Sequence, residues 1–138
     1  MTKFSETERP VSDEEFSKFE SGFSRSLPAA FKTHYLKNNG GFPEFNAVKG
    51  SRNIFSIDGF LSIKYGALPI ERLASDMQNP ISDGYFLPFA NDVGGNIFYM
   101  SLLDDDYGCI YLLTADTADK IYVCGSFDEF VSGIFSPM

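Results

Sequence analysis

Tryptophan is absent from this 138-residue chain, histidine occurs once and cysteine twice, and basic residues all but vanish from its C-terminal half. From Asp76 to the end there are ten acidic residues and one basic one, Lys120, a local net charge of −9. Residues 1 to 75 carry nine acids and ten bases, a net of +1. Each scarcity excludes something. The one histidine, His34, sits in a helical stretch away from any Gly-x-Ser-x-Gly elbow, so nucleophilic triads lack their base. Cys109 and Cys124 are too few and too far apart for a zinc site. If they lie on neighbouring antiparallel strands a disulfide is geometrically conceivable; two reduced thiols packed as small hydrophobes is the favoured reading. A pI of about 4.5 without clustered Lys and Arg argues against a nucleic-acid partner, because counterion release needs such clusters.

Long apolar runs are missing too. None approaches the ~20 residues a membrane helix needs, and Met1 to Pro10 lacks the apolar centre of a signal peptide, so a soluble, cytoplasmic protein with no membrane partner is expected. No P-loop pattern occurs, and Asp92-Val93-Gly94-Gly95-Asn96 lacks the spacing of a dinucleotide fingerprint. Asp104-Asp105-Asp106 lacks the alternating ligands, the glycine and the closing glutamate of an EF-hand loop, so a solvated acidic turn is preferred to a divalent-cation site. No catalytic residue, metal or cofactor is expected.

What is present is aromatic. The chain is 43% hydrophobic, with fifteen Phe and seven Tyr, which is the composition of a packed core of one domain spanning residues 1–138. Ser12-Asp13-Glu14-Glu15 is a capping box that starts a helix, Phe16, Phe19 and Phe23 recur on one of its faces, and Gly22 offers a stop. Leu27-Pro28 opens a second helix with Phe31, Tyr35 and Leu36 as its apolar stripe, closed by Asn38-Asn39-Gly40-Gly41. Asn53 to Ile57 and Phe60 to Ile63 are short β-prone runs parted by Asp58-Gly59, a dipeptide of the hairpin-turn type. Pro69 to Met77 has helical spacing and ends before Pro80.

From Tyr85 onward the pattern is a meander: Tyr85 to Ala90, Ile97 to Leu103, Cys109 to Leu113 and Ile121 to Val123, joined by short polar links. Centring the last turn near Thr117 pairs Ile110 with Cys124. Ile97 to Leu103 is apolar almost throughout and reads as a central strand covered on both faces. A second capping box, Ser126 to Glu129, starts a C-terminal helix with Phe127, Phe130, Val131 and Ile134 on one face. The expected fold is α+β: a central antiparallel β-meander with N-terminal helices and a C-terminal helix packed around it.

The ordered set of Glu20, Leu27-Pro28, Asn39-Gly40-Gly41, Leu87-Pro88-Phe89-Ala90-Asn91-Asp92-Val93-Gly94-Gly95-Asn96, Cys109 to Leu112 and Ser126-Phe127-Asp128-Glu129-Phe130-Val131 resembles the SUKH superfamily, the Smi/Knr cell-wall-assembly-regulator-like domain. The resemblance spans nearly the whole chain. It implies an α+β domain of the kind found among bacterial immunity proteins, which bind a cognate toxin, often a nuclease, without catalysis. Other relatives are regulators or adaptors. The motif residues read as turns and caps that hold the fold.

The partner surface is expected instead among the acids Asp92, Asp104, Asp105, Asp106, Asp116 and Asp119, offset only by Lys120, with the nearly neutral N-terminal half facing away. Such a field concentrates basic protein surfaces and repels phosphate backbones.

Overall fold

The computed structural model describes residues 2–76 and 84–137. Two helices come first, α1 (Asp13–Glu20) and α2 (Ala29–Lys37), after a short strand β1 (Phe4–Ser5). The expected capping box is complete: the Ser12 hydroxyl accepts from the Glu15 N–H at 3.0 Å, and the Glu15 carboxylate accepts from the Ser12 N–H at 3.0 Å. Phe16 and Phe19 turn into the core, whereas Phe23 lies beyond the helix, which ends at Glu20. Glu20 closes the gap to the next helix, its Oε2 accepting from the Leu27 N–H at 2.8 Å, and Pro28 stands at the N-cap of α2.

The centre of the molecule is a five-stranded antiparallel sheet in the order β5 (Gly59–Phe60), β6 (Phe86–Asn91), β7 (Ile97–Ser101), β8 (Ile110–Leu113) and β9 (Lys120–Cys124). Four of these are the expected meander, and Ile110 pairs with Cys124 as the turn spacing predicts. Both thiols are free. Pro88 sits inside β6, where a proline would ordinarily remove a ladder bond. A register shift between Pro88 and Ala90 accommodates it, leaving Phe89 as the extra residue aimed at the core.

The Asp58-Gly59 expectation is corrected. The flanking runs do not pair with each other: β4 (Ile54–Ser56) pairs with β3 (Ala47–Lys49), while β5 pairs with β6. Gly59 does not adopt the positive φ that a two-residue hairpin turn asks for. It is used for close approach instead, since a Cβ there would lie 3.0 Å from the Phe42 ring. The chain passes between sheets here, with the Asp58 N–H donating to the Asn91 carbonyl at 2.8 Å.

A short helix α3 (Ile70–Asp76) packs against β6; its expected continuation through Met77 to a stop before Pro80 lies outside the described residues. The C-terminal helix α4 (Phe127–Ser132) is capped by Ser126, whose hydroxyl accepts from the Glu129 N–H at 3.1 Å. A strand absent from the sequence reading follows it, β10 (Ile134–Phe135), completing a three-stranded sheet in the order β10-β3-β4. The remaining strand, β2 (Phe42–Pro43), pairs with β1.

Helices and sheet meet in one aromatic core. Phe31 and Tyr35 of α2, Phe127 and Phe130 of α4, and Phe60, Phe89 and Phe98 of the sheet are all buried. Tyr35 carries its hydroxyl into this core and donates it to the carbonyls of Leu61 at 2.7 Å and Phe89 at 3.3 Å. That pins α2 to the sheet through groups that would otherwise be buried without partners.

His34 has no such partner. Its ring lies among Phe4, Tyr35, Phe60 and Phe127, with centroids 4.9 to 5.5 Å away, and its buried Nε2 makes no hydrogen bond. Burial, then the charge of Lys37, push its pKa from the ordinary 6.5 down to about 4. The folded state therefore binds this proton less readily than the unfolded chain. The stabilisation is complete above pH 6.5 and is lost as pH falls towards 4. Stability should drop by about 2 kcal/mol between pH 7 and pH 5, and urea unfolding of His34→Leu should show that pH dependence flattened. Glu15, whose carboxylate the Lys64 hydrogen bond chiefly holds down at about 2, loses its contribution only below its ordinary 4.5, outside this window.

Candidate functional site

The six candidate acids occupy the links of the meander. Asp92 opens the β6–β7 turn but is only 9% exposed. Its Oδ1 accepts from the N–H groups of Gly94 and Asn96, both at 2.9 Å, and its Oδ2 accepts from Asn96 Nδ2 at 2.8 Å. Gly95 completes the turn at φ +85°, a conformation that costs a side chain roughly 1–3 kcal/mol. Asn96 Oδ1 then accepts from the Ala115 N–H at 2.9 Å, which ties this turn to the β8–β9 turn. There Asp116 and Asp119 are exposed, and Asp119 also accepts from the Thr117 hydroxyl at 2.8 Å. Asp92 thus holds a loop, and both its carboxylate oxygens are engaged there.

Asp104, Asp105 and Asp106 form a 3₁₀ turn between β7 and β8. Antiparallel connectivity puts this turn at the end of the sheet opposite Asp92, Asp116 and Asp119. The length of β7 separates the groups by about 14 Å, at ~3.4 Å per residue. The expectation of a neutral N-terminal half facing away, with Lys120 as the sole offset, is corrected here. Arg25 ion-pairs with Asp104 and lies 5.3 Å from the centroid of Tyr107, while the Tyr107 hydroxyl donates to the Ser26 carbonyl. The α1–α2 link is folded against the acidic turn, a contact across 79 residues that no local pattern announces.

Asp106 turns inward. It accepts from the buried Ser101 hydroxyl and, at 2.6 Å, from the Tyr111 hydroxyl. Burial works to raise its pKa, but these two hydrogen bonds and the charge of Lys120 outweigh that, leaving the carboxyl below its ordinary value. Burial and then the Asp106 hydrogen bond push the Tyr111 phenol upward. Asp105 is left exposed beside this network. Among the described residues no group of three or more His, Cys, Asp or Glu could hold a metal ion.

Sequence reasoning missed an aromatic row on the sheet face turned away from α4. Phe86, Tyr99, Tyr111 and Tyr122 come from β6, β7, β8 and β9, with successive centroids 5.3, 5.6 and 5.8 Å apart. Ala74 of α3 packs against the Phe86–Tyr99 end, which is buried. Tyr111 and Tyr122 remain partly open, and Lys120 Nζ sits 4.6 Å from the Tyr111 centroid. The signal was present: alternation along the Ile97 and Cys109 strands puts Tyr99 and Tyr111 opposite the core-facing Phe98 and Ile110.

A helix-flanked antiparallel sheet with capped, acid-bearing turns and an aromatic outer face defines a small α+β domain. The model of the SMI1 / KNR4 family (SUKH-1) matches residues 10–133, and the chain belongs to that family. No curated protein and no solved structure matches it significantly. Among the described residues no helix is long and apolar enough to cross a membrane.

Proposed function

We propose that this SUKH-1 chain is an immunity protein that binds a cognate toxin and neutralises it by covering a basic surface, without chemistry of its own. The observation that carries this reading is the exposed acid of the C-terminal half: Asp104 and Asp105 at one end of the meander, Asp116 and Asp119 at the other. A nuclease presents basic groups because its substrate is a phosphate chain, so an acidic cover steers association and occupies that site. A standard interface of about 800 Å² per partner is about 30 Å across, wide enough to take in both ends of the sheet. Asp106 belongs to that surface through its half-buried carboxylate, while Asp92 is left out because its carboxylate is engaged in its own turn.

Co-expression with the toxin encoded beside this gene tests the proposal. The parent chain should restore growth. Asp104→Lys, Asp105→Lys and Asp116→Lys together should keep Tm within a few degrees, since exposed ion pairs such as Arg25–Asp104 are worth ~0–1 kcal/mol. The same variant should bind the toxin at least about tenfold more weakly at low salt, with the difference shrinking as salt rises. Toxicity that persists beside soluble parent chain would overturn the reading and leave a regulatory adaptor of the cell-wall-assembly-regulator type. Equal binding by the reversed variant would sink the acidic interface.

A further inference from the structure

Two cations beside the Asp104–Asp106 turn are seated in a similar way. Arg25 lies over Tyr107 and pairs with Asp104. Lys120 lies over Tyr111, whose hydroxyl is held by Asp106. Each seat combines the negative face of a phenol ring with a nearby carboxylate, two attractions that both favour a cation and that act at the same point. The seats differ in how firmly they are filled. Arg25 is fixed by an ion pair as well as a ring, whereas Lys120 makes no ion pair among the described residues and is held by the ring and by the more distant charge of Asp106, on an exposed strand end. Beyond the Tyr111 ring the row ends at Tyr122 of β9, which is partly open.

We propose that the open end of the outer sheet face, Tyr111 and Tyr122 with Asp106, is the docking surface for an arginine- or lysine-bearing segment of a protein partner, which enters by displacing Lys120 from the Tyr111 ring. This rests on the immunity reading and deepens it by naming the face and the chemistry of the partner group. Charge complementarity commits the occupant: the half of the chain that builds this face carries ten acids against one base. Tyrosine supplies contact area at low conformational cost, the usual make-up of an interface centre, with Asp104 and Asp105 as its charged rim. Tyr99 and Phe86 extend the row beneath α3, so the rings that receive the partner are already held in place by packing on a buried neighbour.

A hexa-arginine peptide serves as the probe, titrated into the full chain at low salt while tyrosine-ring and backbone NMR signals are followed. The expected shifts centre on Tyr111, Tyr122 and Lys120. Tyr111→Leu should weaken binding roughly threefold to fivefold, the range of an exposed cation–π contact. Lys120→Gln should strengthen it by more than Lys18→Gln, which makes the same charge change on α1. Shifts centred on the Asp116–Asp119 turn with Tyr111 unmoved, or equal effects of Lys120→Gln and Lys18→Gln, would overturn the proposal. The probe contains no toxin, so its outcome is independent of neutralisation. An unchanged toxin affinity of the Tyr111→Leu chain would remove the partner from this face while leaving the immunity reading intact.

Discussion

Replacing Asn39 by alanine should cost about 4 kcal/mol of folding stability, close to half of what a domain of this size commonly has. Asn39 is 2% exposed. Its Nδ2 donates to the carbonyls of Arg9 at 2.9 Å and Ile63 at 3.0 Å, and its Oδ1 accepts from the Ile63 N–H at 2.7 Å. Alanine removes all three bonds and leaves the Ile63 N–H and the two carbonyls short of partners, each at ~1–3 kcal/mol. The backbone around it leaves little room to recover them. The Glu8 N–H donates to the Asn39 carbonyl, and Gly41, at φ +92°, has the Ser5 carbonyl 2.6 Å from where a Cβ would stand. Urea unfolding at pH 7 should show the midpoint moved with the slope unchanged. Asn39→Asp, which keeps the shape and the acceptor but loses both donors, should be no better than alanine. A loss below about 1 kcal/mol for Asn39→Ala would mean that water replaces the clamp, whose bonds would then be worth little.

Asn39 also marks where sequence reasoning stops. As a residue tolerant of left-handed backbone it reads as part of a helix stop, and the stop is real, since Gly40 and Gly41 take φ of +75° and +92°. Nothing local says that its amide reaches Ile63. The Ser12–Glu15 capping box, the Ser126 half of the second one, the meander and the Ile110–Cys124 register were legible because each depends on neighbours in sequence or on the period of a strand. The two- and three-residue strands β1, β2, β3 and β10 were not, because two residues define no period and their pairing is set by the core. The candidate site divides the same way. That acids crowd the meander links was readable from composition; that Asp92 is spent on its own turn, that Arg25 folds onto Asp104, and that Tyr99, Tyr111 and Tyr122 align are tertiary facts.

Phe130→Ala should rival the loss at Asn39, at about 4 kcal/mol, for a different reason. The ring is fully buried and stands 5.1 Å from Phe89, 5.0 Å from Phe98 and 6.0 Å from Phe60, mostly edge to face. Truncating a buried Phe removes its transfer free energy and leaves a cavity, together ~3–5 kcal/mol. Those neighbours cannot close in, since β5, β6 and β7 are fixed by their ladders and by the Tyr35 hydroxyl on the Leu61 and Phe89 carbonyls. Phe130→Leu, which keeps most of the volume, should cost about 1–1.5 kcal/mol, and calorimetry on the pair would separate a cavity from a lost contact. The variant also gives the functional tests a needed contrast. Phe130→Ala leaves Tyr111, Tyr122 and every surface acid in place, so any loss of protection in cells should come from a reduced amount of folded chain and should recover on cooling. The lysine-reversed variant should behave in the opposite way, with normal abundance and a binding defect that salt abolishes. If Phe130→Ala instead bound a partner poorly while fully folded, α4 would belong to the interface, and the outer sheet face would lose its claim to be the contact.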